Sequence, residues 1–209
     1  IVDYEPSVER WTRWAYAHRV HDHVVAFLNF SPSNLVGDPN DEYGNFASPR
    51  GWDRVSQFLH QGVEDVESFT SLVGRGSAVA FAAYRDEIEA MPDLTRLLEG
   101  TMDWTPDPEK LSVTFAVAVA LAGRMLQAKG GVPPKRDIER ACEIVARMPP
   151  EVACLFALPC MQGSQELKTA FLLTKGMAKF CAAHRALLSK YGGSLDSLGR
   201  SAAKKTSRR

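Results

Sequence analysis

The sequence predicts an all-α protein, and three observations predict it. Apolar residues recur at three- and four-residue spacing almost throughout from Ser7 onward. Caps and breakers stand at the ends of many of these runs, as in Pro6-Ser7, Ser48-Pro49, Gly62, Pro92 and "KGGVPPK". Beyond the opening tetrad "IVDY" no stretch has the alternation of a strand, and no repeat of fixed period occurs.

Taken in order, "IVDY" is β-type but too short to form a sheet alone, and is expected to be the last edge of a sheet lying upstream. From Ser7, which can cap, Val8, Trp11, Trp14, Ala15 and His18 fall on one helical face. A second helix is expected over 22–30, with Val24, Val25, Phe27 and Leu28 apolar, followed by a long polar loop from Pro32 to Ser48. Ser48 then opens a helix carrying Trp52, Val55, Ser56 and Leu59, which Gly62 ends. Further helices are expected over 63–73, closed by "GRG", and over 77–90, with a short piece at 94–98. After the turn-rich linker "GTMDWTPDP", Pro108 and Glu109 lead into a long apolar helix ending near Lys129. Two helices follow over 136–147 and 150–161, then one long helix over 167–190. The tail from residue 191 is polar and basic, and its composition predicts disorder.

Composition narrows the function classes. Apolar residues make up 45% and charged residues 24%, enough to build a sizeable core. The 25 basic and 25 acidic side chains balance, so no global field favours nucleic acid or an anionic membrane. The longest apolar run, Leu111 to Gly123, is too short to span a bilayer. Four cysteines lack C-x-x-C spacing and read as reduced thiols of a cytoplasmic protein. The chain opens on Ile1 without signal-peptide character, and the expectation is that it begins inside a longer polypeptide.

Most motifs fall short of a chemistry. Asp38, Asn40 and Glu42 imitate the start of a calcium loop, but Tyr43 and Pro49 stand where glycine and a carboxylate are required. His18, His21 and His23 straddle a helix junction instead of sharing a face at i and i+4, so no metal ligand set is assigned. "VGRGSAVA" has glycines but no lysine and no preceding strand, and the chain contains no phosphate-loop or dinucleotide fingerprint. The basic end from Arg200 to Arg209 could touch nucleic acid, but such a tail is more often a solubilising end.

Arg50 is different. It stands in the first turn of its helix, at the positive end of the dipole, where an acid would be the stabilising choice. Helix N-termini offer amide donors to an anion, and an arginine adds a bidentate donor. A surface arginine pointing into water is the plain alternative; a phosphate would resolve the misfit.

The segment "ASPRGWDRVSQFL" resembles the sensor 2 segment of MoxR-type AAA+ ATPases. The wider pattern is similar as well: a Trp-Ala helix, "HDHVVAFLNF", a D-P loop, then "FASPRGWDRVS", with "MPPEVACLFALPCMQGSQEL" similar to a helix of related C-terminal extensions. The likeness is good over about the first sixty residues and looser to about Leu188. It implies an end of the ATPase core over 1–6, a helical lid over 7–100, a second helical bundle as extension over 101–190, and a tail over 191–209. It also implies that Arg50 reaches the γ-phosphate of ATP at a subunit boundary, with Ser48 and Pro49 shaping the turn. The implied partners are an upstream ATPase core, further copies in a hexameric ring, and a von Willebrand A domain protein. The implied activity is ATP-dependent remodelling of a protein. The phosphate loop, Walker B acid and arginine finger lie upstream in that family, so this chain alone is expected to hold neither ATP nor Mg²⁺ and not to hydrolyse ATP. The rival reading is a stand-alone helical interaction module without nucleotide.

Overall fold

The computed structural model describes residues 6–38, 45–128 and 130–183. Every regular element among them is helical, so the all-α class holds. The expected strand at the first residues and the basic tail lie outside the described residues. No helix among the described residues is long and apolar enough to cross a membrane.

The chain divides into two compact units. The first comprises Ile1–Met91 with Lys110–Val119, the second Pro92–Glu109 with Ala120–Arg209. This division falls at Met91 and again inside the long apolar helix.

The first unit holds α1 (Val8–Ala17), α2 (Asp22–Phe30), a 3-10 turn (Pro32–Leu35), α3 (Pro49–His60), α4 (Val66–Val73) and α5 (Arg75–Glu87). The 3-10 turn lies in what the sequence suggested was only loop. Ser7 caps α1 through the Arg10 amide, and Asp65 caps α4 through the Ser68 amide at 2.8 Å, which is why α4 starts at Val66 and not at 63. The core is aromatic: Phe27 lies 5.2 to 5.5 Å, between ring centroids, from Phe81, Trp52 and Tyr84. Phe69 packs on Phe81, and all of these rings are buried.

The apolar helix α7 (Leu111–Leu126) contributes its first half to this unit, where the Ser112 carbonyl accepts the buried Tyr84 hydroxyl. Its later residues, from Ala120, belong to the second unit. Buried residues on every side of α7, Val117 to Ala122 among them, explain a composition that reads as apolar all round.

The second unit also contains α6 (Leu94–Glu99), α8 (Lys135–Val145), α9 (Pro150–Gln162), α10 (Gln165–Leu172) and α11 (Lys175–Ala183). The single helix expected over 167–190 is instead broken after Leu172. Thr174 is the cause: its hydroxyl donates to the Phe171 carbonyl at 2.8 Å and accepts from the Met177 amide at 3.2 Å, ending one helix and capping the next. Residues 184–190 of that expectation lie outside the described residues.

The linker before α7 is tied down within this unit. Arg140 donates to the carbonyls of Leu97 and Met102 and to Asp103, and Arg147 donates to Asp103 at 3.2 Å and to the Trp104 carbonyl. Asp103→Ala is expected to increase protease cleavage between residues 101 and 109 while leaving the melting temperature nearly unchanged, since the acid itself is exposed. Cleavage no faster than in the wild type would mean that the carbonyl contacts hold the linker unaided.

Candidate functional site

Arg50 is presented by a helix start that is fixed from several sides. Ser48 is extended, and its hydroxyl accepts the Gly51 amide at 3.1 Å, with Pro49 in the first turn. Gly51 is buried so closely on the end of α4 that a Cβ there would meet the Leu72 carbonyl oxygen. Trp52, fully buried, donates its indole N–H to the Asn34 carbonyl at 2.7 Å. The Gly37 amide donates to the Ala47 carbonyl at 2.8 Å, joining the chain after the 3-10 turn to the chain entering α3.

On this platform Arg50 is exposed, and among the described residues it has no hydrogen-bond or ion-pair partner. The first turn contains no acid. The amide supply is smaller than an ordinary helix N-terminus suggests. Pro49 has no N–H, Gly51 donates to Ser48, and Trp52 donates to the Ser48 carbonyl at 3.0 Å. That leaves the Arg50 amide and its guanidinium, so an anion here would be held mainly by one side chain.

The histidines assemble differently from their order in the sequence. His18 stacks on Trp14 at 4.3 Å and its Nδ1 lies 2.8 Å from the Trp14 carbonyl. His21 instead meets His23 at 4.7 Å and His60, from the end of α3, at 5.2 Å between ring centroids. Burial, then the neighbouring His23, His60 and Arg85, push His21 down to about 4, with Glu64 opposing. Burial lowers His23 likewise, and it raises the Asp22 carboxyl to about 6. Arg85 pairs with Glu64 at 2.9 Å and holds that carboxyl below its ordinary range, first by their hydrogen bond.

Sequence spacing did not single out His60, which stands 39 positions from His21; its one signal is a histidine in the last turn of a helix. No group of three His, Cys, Asp or Glu side chains among the described residues is placed to hold a metal ion. Asn40, Glu42 and Tyr43 of the imitation calcium loop lie outside the described residues. The four cysteines are free thiols; burial raises Cys142 to about 12 and also pushes Cys160 well above the ordinary thiol range, which makes both poor nucleophiles. Comparison with known protein families, characterised proteins and solved structures finds no match to this chain.

Proposed function

We propose that this chain is the helical lid and C-terminal extension of a MoxR-type AAA+ ATPase, and that Arg50 contacts the terminal phosphate of ATP bound by the ATPase core. The observation that carries the reading is a guanidinium without a partner among the described residues, at the positive end of α3, on a turn held by Ser48, Gly51 and Trp52. An arginine so placed gains nothing from its own helix and is complementary to an anion.

The fit to nucleotide is partial, and its limits are chemical. Arg50 supplies one bidentate donor and one amide, while the described residues offer no lysine-bearing phosphate loop and no ligand group for Mg²⁺. Binding of Mg²⁺-ATP, which supplies the transferable phosphoryl group, therefore falls to the core. Within a homo-oligomeric ring, hexameric in the family it resembles, this chain orients Arg50 and passes nucleotide state on as a rigid-body rotation of the lid. The work done on a partner protein, one with a von Willebrand A domain being the implied kind, follows from that rotation.

Arg50→Ala in the polypeptide that includes the ATPase core tests the proposal. Removing one positioned cation from such a site is expected to lower kcat for ATP hydrolysis roughly a hundredfold. Unchanged turnover would overturn the proposal and leave the stand-alone interaction module as the better reading.

A further inference from the structure

The N-cap of α2 is an imidazole. His21 Nδ1 accepts the His23 amide at 3.2 Å, a bond that requires this nitrogen to be without a proton. The same residue joins two elements: its backbone N–H donates to the Ser56 hydroxyl of α3 at 2.8 Å. One turn further along α3, His60 Nε2 lies 3.0 Å from the carbonyl of Arg19, which adopts the left-handed conformation at φ 57°.

The surroundings are poor in countercharge. His21 faces His23 on α2, His60 on α3, Glu64 in the turn before α4, and Arg85 on α5, while the Asp22 carboxyl on α2 interacts with His60. Glu64 is already engaged by Arg85, and His23 Nδ1 is buried without a partner among the described residues. A proton added from solvent to His21 Nδ1 removes the acceptor of the cap. It also places a cation at the positive end of α2, against two further imidazoles and a guanidinium.

We propose that His21 is a proton-operated cap, whose protonation releases the first turn of α2 and unfastens the α1–α2 turn from α3. The sign follows from linkage. A histidine held low in the closed form costs nothing above about pH 6.5 and opposes closure increasingly as the pH falls towards 4. Asp22 works the other way: its raised carboxyl favours the closed form when protonated, a contribution lost as the pH rises through 6. Two imidazoles are held low against one raised carboxyl, and protonation of His21 also removes the cap bond itself, so acid opens the junction.

Hydrogen exchange on the full chain tests this. The amides of His23, Val24 and Val25, all bonded to His21, are expected to open roughly tenfold more often at pH 5 than at pH 7, after correction for intrinsic exchange. The amides of Phe69 and Gly74 in and after α4 serve as the reference and are expected to change little. His21→Asn keeps a side-chain acceptor at the cap without a titrating group, so the pH dependence at the three amides is expected to vanish. Asp22→Asn removes the opposing carboxyl and is expected to steepen it.

The same acid response in His21→Asn as in the wild type would overturn the proposal. So would an imidazole NMR titration of wild-type His21 with an ordinary midpoint near 6.5, a measurement that needs no variant to fold.

Discussion

Trp52→Ala is expected to lower the unfolding free energy of the first unit by about 4 kcal/mol, near the top of the range for a buried aromatic. Three losses combine. The indole is fully buried, so its removal leaves a cavity between Phe27 and Phe81, whose rings now stand 5.4 and 5.5 Å from it. Two aromatic contacts disappear, one of them edge-on. The Asn34 carbonyl also loses its indole donor. At a urea slope of about 2 kcal/mol/M the midpoint shifts down by roughly 2 M. Trp52→Phe separates the causes, because it keeps most of the ring contact and forfeits the hydrogen bond, at about 1–2 kcal/mol. A midpoint for Trp52→Ala within 0.5 M (about 1 kcal/mol) of the wild type would show that the site collapses around the loss.

Trp52 also marks what sequence reading could reach. Periodicity and capping residues depend on neighbours a few positions away, and they placed α2 over 22–30 and the start of α3 at Ser48-Pro49 correctly. Contacts set by tertiary packing left no such trace. The break at Thr174 sits inside an apolar-periodic run, where threonine is tolerated in a helix. It became a cap because α11 folds onto α8, where Gly176 lies against Cys142 and Glu139 so closely that a Cβ would be 2.7 Å from that of Cys142. Nothing in the sequence pattern singles out Arg140 and Arg147, yet they bind carbonyls of the linker.

At the candidate site the same divide holds. The turn shape and the misplaced cation were legible in "SPR", whereas the shortage of open amides follows from hydrogen bonds that form only in the folded turn. His60 joined His21 through the packing of α3 against α2, which no spacing rule encodes.

Gly74→Ala should produce the second large effect, about 3–4 kcal/mol, because two costs fall on one methyl group. Gly74 ends α4, donating to the Thr70 carbonyl at 3.0 Å, and it also starts α5, accepting the Ala78 amide at 3.0 Å. It does both at φ 77° and ψ 157°, a region that side chains other than glycine's scarcely enter. The added carbon would also meet the Asn45 carbonyl oxygen, a backbone atom that cannot rotate aside. Gly62→Ala is the control: its φ is 78°, with nothing within 4 Å of the added carbon, so strain alone is expected to cost about 1 kcal/mol. Equal losses for the two variants would mean that the segment at Asn45 yields freely. If the Gly74 variant loses more, that segment is firm, and Asn45 to Ala47 form a rigid lead into Ser48 and the turn that carries Arg50. In that case the proposed ATPase role implies that Gly74→Ala, in the polypeptide that includes the proposed ATPase core, lowers turnover although Arg50 is intact, and that Gly62→Ala does not.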